Sequence, residues 1–418
     1  MNHLKEKAIK SNTFCVAPWS AIYQKPNGVV APCCIWKGDE GLGNVNEKDI
    51  EEIYTDKKAT EVKSSMLSGE KLNECQACYT QEDIGIPSLR ESLNNHYLDK
   101  IDFSDDRPQF MYWDLRLSNL CNFKCRMCWH ELSSEWYEDA KKIRPDIDFK
   151  DKVIKVNKEE FWSDMKSHYK YVEAVYFAGG EPFINQHHYQ ILEDLRNLGK
   201  TDTRIIVNTN GSITRFKKKR VLDYYKDFED INFGFSIDGM GKTVEYIRSG
   251  INYDEWKNNL REYIDFVKDK NSKTIKYFFQ ITYGVMNVEN VLDMLVDFAK
   301  EGFFTKHCYV NFQMIFEPPE ASLEAIPDEI KNKVINKVTS EEYINEIKAQ
   351  DIYFNTDNQI NYGLLIDSFK VFQSQLESVE FDQTLLERLY EGREFTLLDK
   401  LRGENMLENI PDYRQYYK

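Results

Sequence analysis

The stretch "LRLSNLCNFKCRMCWH", Leu115 to His130, places Cys121, Cys125 and Cys128 within eight residues. It grows out of "MYWDLRLS" (111–118), an apolar and aromatic run that reads as a β-strand. Three more such runs lead into conspicuous motifs. "AVYFAG" (174–179) opens into "AGGEPF" (178–183), "RIIVNTN" (204–210) into "NTNGS" (208–212), and "INFGFSID" (231–238) into "SIDGMG" (236–241). "KYFFQITYG" (276–284) and "CYVNFQMIF" (308–316) complete six strands. Helical patterns lie between them, such as "HHYQILEDLRNLG" (187–199) and "NVLDMLVDFAKEG" (290–302). Strand and helix in alternation predict βαβ units and a parallel sheet, hence an α/β fold; six such units could form an open sheet or a partial barrel, and a partial (β/α)6 TIM-like barrel is expected. The four motifs then all fall at carboxyl ends of strands, the edge where α/β proteins build their sites.

The flanks read differently. Residues 1–104 are short apolar pieces split by turn signals, "KPNG" (25–28) and "GDEGLGN" (38–44). Asn46 is expected to cap a helix carrying Ile50, Ile53 and Tyr54 at a 3.6-residue period. Residues 321–418 carry helical periods such as "FDQTLLERLYEG" (381–392) and are expected to be a helical extension docked on the 105–320 region. The basic run "RFKKKR" (215–220) is expected on the solvated side of a helix after the third strand. "GMG" at 239–241 is no dinucleotide fingerprint, since Val244 stands where a third glycine belongs.

The 418 residues carry a net charge of −15, which repels phosphate backbones and makes nucleic acid a poor partner. No run approaches the roughly 20 apolar residues that span a bilayer, and "MNHLKEKAIKSNTF" has no apolar core of a secretory signal. No membrane and a cytoplasmic location are therefore expected, where thiols stay reduced. Nine cysteines in that setting argue for metal rather than disulfides. Cys15, Cys33, Cys34, Cys75 and Cys78 form one group and the 121–128 triplet another. Cys308 stands alone in an apolar strand and reads as a small buried hydrophobe.

The triplet offers three thiolates at Cys-x3-Cys-x2-Cys spacing. A closed zinc site wants four ligands, and His130 is the only nearby residue that would complete it. A [4Fe–4S] cube bound by three cysteines instead keeps one iron open to an outside ligand, which is a catalytic arrangement. Zinc leaves "GGEP" without a role.

The triplet, followed one strand later by Gly179, Gly180, Glu181 and Pro182, resembles the radical S-adenosylmethionine (SAM) superfamily. That resemblance implies that Cys121, Cys125 and Cys128 hold a [4Fe–4S] cluster whose open iron binds SAM. Reductive cleavage of SAM then gives a 5′-deoxyadenosyl radical that abstracts a hydrogen from the substrate. It places Gly179–Pro182 at the methionine end of SAM, where glycines admit a close backbone approach. Met127 stands where the family often has an aromatic residue beside the adenine. Ser236 and Arg248 resemble residues that hold the SAM carboxylate in related enzymes, with an ordinary ion pair as the other reading of Arg248, and Asn208 is expected among the cofactor-binding residues. Asp238 is open between a substrate contact and a helix cap.

The segment "FCVAPW…NGVVAPCC…LGNVNEKDIEEIY…CQAC" resembles the SPASM or shorter twitch domain, usually found after the barrel and here preceding it. This implies an auxiliary [4Fe–4S] cluster on Cys15, Cys33, Cys75 and Cys78, with Cys34 as the alternative to Cys33 and structural zinc as the alternative occupant. The auxiliary cluster would serve as an electron relay after hydrogen abstraction. The family implies modification of a peptide or protein side chain, with dehydrogenation or epimerisation of a small polar metabolite, such as a nucleotide-sugar, as the rival. A reductant such as flavodoxin or ferredoxin would be a partner. A non-catalytic iron–sulfur or zinc protein is the reading from another class.

Overall fold

The computed structural model describes residues 3–83, 85, 87–350 and 362–416. The chain divides into two units, one of residues 1–119 with 153–207 and one of residues 120–152 with 208–418. Each is α/β, with strands that pair mostly in parallel into an open sheet.

The first unit has β1 (Ala21–Gln24), β2 (Val29–Ala31), β3 (Gly43–Asn44), β4 (Tyr112–Arg116), β5 (Ala174–Ala178) and β6 (Arg204–Thr209), whose last two residues fall in the second unit. β4 pairs in parallel with β5, and β5 with β6, as the alternation of strand and helix requires. Val175 and Phe177 are fully buried on one face. Each large apolar side chain so buried contributes roughly 1.5–3 kcal/mol. The helix Gln186–Asn197 follows β5, capped by Asn185, whose side chain accepts from the His187 amide at 2.9 Å. Its Ile191, Leu192 and Leu195 are buried at helical spacing.

Sequence reading missed one connection. β1 pairs in parallel with the far edge of β4, with Tyr23 opposite Asp114, so the cysteine-rich segment contributes a strand to this sheet. β2 and β3 then extend it antiparallel. A four-residue strand of mixed character carries too weak a period to be seen. "KPNG" makes the β1–β2 turn, with Gly28 at φ +89°. Asn46 is not the helix cap. The helix is Ile50–Thr55, preceded by Asp49, and Asn46 instead accepts from the Asn157 amide at 2.8 Å.

In the second unit β9 (Ile231–Ser236), β10 (Ile275–Tyr283) and β11 (Cys308–Met314) pair in parallel. The helices Tyr253–Lys270 and Val288–Lys300 make the crossovers. Asn252 caps the first, and its Tyr253, Trp256, Leu260, Tyr263, Ile264 and Val267 are buried at three- and four-residue steps. "RFKKKR" is not helical. It folds into a two-stranded hairpin, β7 (Arg215–Phe216) with β8 (Lys219–Arg220), turned through Lys217 at φ +55°. It is largely solvent-exposed, as its charge demands. Cys308 is half-buried at the start of β11, where the strand pattern alone suggested full burial. Beyond residue 321 the regular elements among the described residues are all helices, including Gln383–Glu391 and Arg393–Arg402. Among the described residues no helix is long and apolar enough to cross a membrane.

Candidate functional site

The 121–128 loop has no regular structure, so its shape rests on contacts, all within the second unit. The Lys124 amide donates to Ser249 O at 3.0 Å and the Arg126 amide to Ile247 O at 2.7 Å. Trp136 Nε1 donates to Cys125 O at 2.8 Å, and the Cys121 amide to Ser134 Oγ at 3.2 Å. Asn122 is held from both sides: its Nδ2 donates to Ser212 Oγ at 2.8 Å and its Oδ1 accepts from Asn210 Nδ2 at 2.9 Å. "NTNGS" thus serves as a brace for the cysteine loop. Gly250 at φ +115° completes the fit, since a Cβ there would lie 2.9 Å from Phe123 Cδ1.

The three thiols stand together. Cys125 and Cys128 share a hydrogen bond, which lowers the first and raises the second well above the ordinary thiol range. Cys121 lies within electrostatic range of Cys128. Arg248, also close, favours the thiolate form of both Cys125 and Cys128. It ion-pairs with Asp238 at 2.7 Å beside the triplet itself. Asp238 does not cap a helix: its Oδ1 accepts from the Thr282 amide at 2.8 Å and the next helix, Gly241–Ile247, starts from Met240. Ser236 is half-buried at the end of β9. Asn208 Oδ1 is buried with no hydrogen bond among the described residues, beside the bare Cα of Gly234, where a Cβ would come within 2.3 Å of it. Three gathered thiols with one cation beside them fit an iron–sulfur cluster. Met127 and Cys128 border a cleft of about 300 Å³ walled by Trp129, Trp136, Phe395 and Leu398.

Residues far along the chain grip this loop. Arg126, with a fully buried side chain, ion-pairs with Asp399 at 2.6 Å and with Glu404, and its guanidinium stacks 3.7 Å from the centre of the Tyr246 ring. Arg402 donates to Asp139 at 2.9 Å and lies over Trp136. No motif announced this role for the last hundred residues.

In the first unit, Gly179 (φ +79°) and Gly180 (φ +55°) occupy the left-handed region. A Cβ at Gly179 would lie 2.9 Å from Arg116 Cβ. Buried Glu181 accepts from the Phe183 amide at 3.0 Å and starts a 3-10 turn led by Pro182. The backbone of this loop is therefore fixed in a form that side chains at 179 and 180 would spoil.

Cys15 and Cys78 are buried, Cys33 and Cys75 half-buried. Burial pushes Cys15 and Cys75 up to about 12, and the neighbouring thiols add to it. Cys33 is raised well above the ordinary range by burial and then by Cys15. Cys15, Cys33 and Cys75, whose protons are held by burial and by neighbouring thiols, fit with Cys78 a metal-cluster donor set, which releases thiol protons on binding. Cys34 turns elsewhere, to a hydrogen bond with Asp114. Among the described residues no three His, Cys, Asp or Glu side chains lie close enough to hold a single metal ion.

Residues 115–305 match the family model of the radical SAM superfamily, and residues 15–79 that of the SPASM iron–sulfur cluster-binding domain. No curated protein matches the chain at a significant level. Among solved structures, anSMEcpe with bound AdoMet and Cp18Cys peptide is 14% identical at a TM-score of 0.36, with 56% of this chain and 60% of that chain covered. SuiB of Streptococcus suis bound to S-adenosylmethionine is 13% identical at a TM-score of 0.33, with 81% and 69% covered. The chain thus spans about 60% of the length of anSMEcpe, and likenesses this remote carry no argument about chemistry.

Proposed function

We propose, for a chain that belongs to the radical SAM superfamily and carries an N-terminal SPASM domain, that it is an enzyme modifying a peptide or protein side chain by hydrogen abstraction. Cys121, Cys125 and Cys128 would hold the cluster, which when bound would supply the reducing electron for SAM cleavage. The chain's own residues do the rest. Arg248 offsets the charge of the Cys125 and Cys128 thiolates and is itself fixed by Asp238. Asn208 offers a buried acceptor to a ligand N–H or O–H. Gly179 and Gly180 bare a stretch of backbone to close approach by a ligand. Cys15, Cys33, Cys75 and Cys78 would hold the auxiliary cluster, which supplies an electron acceptor. The observation that carries this reading is the gathering of three loop thiols beside the Arg248 guanidinium.

The test is anaerobic reconstitution with iron, sulfide, SAM and a reductant. Formation of 5′-deoxyadenosine is expected, and its absence refutes the radical reading. A peptide encoded beside the gene, incubated in the same mixture, should change mass by hydrogen loss or cross-linking. Turnover of a nucleotide-sugar with no peptide product would favour the small-metabolite rival.

A further inference from the structure

Strand register in the first unit sets out a row of polar side chains that neither cysteine nor glycine motifs explain. Tyr23 of β1, Asp114 of β4 and Tyr176 of β5 are partners across three neighbouring strands, so their side chains stand side by side on one face. Arg116 lies two residues past Asp114 on that face. The opposite face at Trp113, Leu115, Val175 and Phe177 is apolar and buried.

Arg116 is held in a fixed pose. Its Nε lies 3.1 Å from Asp114 Oδ1 and its Nη2 donates to Oδ2 at 3.3 Å. The guanidinium carbon is 5.6 Å from the Tyr23 ring centre and 4.8 Å from that of Tyr176. Both phenol oxygens lie close enough to share its N–H groups. Asp114 is 1% exposed, whereas the Arg116 side chain keeps 20% of its surface. The acid takes the Nε–Nη2 edge, so the Nη1 donors are not spent on it. A buried ion pair of this kind adds little stability over apolar residues of the same volume, so stability does not account for it.

Its position is as telling as its pose. Gly179 packs on the Arg116 stem, and Cys34, bonded to Asp114, adjoins Cys33. Arg116 therefore sits between the glycine loop read for SAM and the cysteines read for the auxiliary cluster. We propose that Arg116, with the Tyr23 and Tyr176 hydroxyls, anchors an oxyanion group of the substrate, a carboxylate or a phosphate. Guanidinium and phenol groups are all donors, and a planar fork braced by an acid suits an oxyanion. The proposal deepens the reading above and rests on it for the meaning of the two flanking motifs.

Binding is tested on the cluster-loaded protein with SAM and without reductant, so that no radical chemistry is needed. The probes are glutarate and inorganic phosphate, followed by ligand-observed NMR against chloride at matched ionic strength. Saturable binding of at least one is expected. The tighter probe identifies the source: glutarate stands for a peptide carboxylate, phosphate for a phosphorylated metabolite. Arg116→Gln alone would strand the Asp114 charge, so it is paired with Asp114→Asn. That double variant should bind about tenfold more weakly, and Tyr176→Phe a few-fold more weakly. No saturable binding of either anion to the parent overturns the proposal. So does undiminished binding in a double variant that keeps its iron; should that variant not fold, undiminished binding in Tyr176→Phe decides against it. Failure here leaves 5′-deoxyadenosine formation intact, whereas failure of the radical reading abolishes it and leaves the anion binding in place.

Discussion

Arg126 and Asp399 meet at 2.6 Å although 273 residues separate them, and the contact ties the residue after Cys125 to the helix Arg393–Arg402. Arg126 has no exposed side-chain surface, while Asp399 and Glu404 keep 17% and 25%. Arg126→Leu should cost about 2–4 kcal/mol, at or below the usual loss for a broken buried pair because the acids retain some water. Urea unfolding measures this. Iron held by the triplet should fall in the same variant while the N-terminal iron stays, and unchanged cluster signals in low-temperature EPR would separate stability from loop position.

Cys125→Ala should remove one cluster and abolish SAM cleavage with the fold intact. The sheet cores are built from strand residues such as Phe233, Phe279 and Val175, not from the loop. Circular dichroism and 5′-deoxyadenosine assays check the two halves of the statement. Parent-rate cleavage by the variant would rule out the triplet as the SAM-cluster ligands.

Three thiolates plus four make two cubanes, hence about eight irons per chain after anaerobic preparation. Cys75→Ala with Cys78→Ala should halve that count, leave uncoupled SAM cleavage detectable, and stop conversion of the true substrate. Elemental analysis showing four irons with one zinc in the parent would make the N-terminal cluster a structural staple.

Gly179→Ala forces a side chain into left-handed backbone and against Arg116. A loss of about 1–3 kcal/mol follows if the loop keeps its form. If the loop relaxes instead, SAM affinity should drop with stability nearly kept. Equilibrium binding of SAM without reductant distinguishes the two, and parent values for both would show that the glycine is dispensable.

Stability should fall as the medium is acidified from about pH 6.5. Burial lowers His188 to about 3, and His168 to about 4. The unfolded chain therefore takes up protons at these sites that the folded chain refuses, between pH 6.5 and those values, and stability declines as pH falls through that window. Asp114 acts oppositely. Burial raises it to about 6, so its folded form binds the proton more tightly and gains stability on acidification between about 6 and 4. His188→Phe should flatten the acid slope by up to one proton, and Asp114→Asn should steepen it. Urea midpoints from pH 7 to 5 give both signs.

The six strands of the α/β region were legible because long apolar runs with β-branched and aromatic residues keep their meaning out of context. "INFGFSID" became β9 within two residues of its predicted end. The triplet and "GGEP" were legible because metal and close-approach chemistry restrict residue type as well as spacing. What failed was local and weakly coded. "RFKKKR" turned into a hairpin because Lys217 takes a left-handed conformation that no lysine advertises. Asn46 was misread as a cap because its bond to residue 157 is a tertiary contact. The grip of Asp399 and Glu404 on Arg126 was invisible for the same reason: acid and base far apart in sequence carry no mark of their pairing.

The parallel pairing of β1 with β4 has a consequence for synthesis. Residues 21–24 leave the ribosome about 90 residues before residues 112–116, a delay of roughly 5–20 s at ordinary elongation rates. Through that interval β1 has one open edge, with the apolar Ala21 and Ile22 waiting beside it. A chain begun at residue 105 would face the converse problem, since β4 would lose the neighbour that covers its outer edge. Nascent-chain aggregation should therefore peak before residue 116 is released, and chaperones that shield strand edges would act in that window.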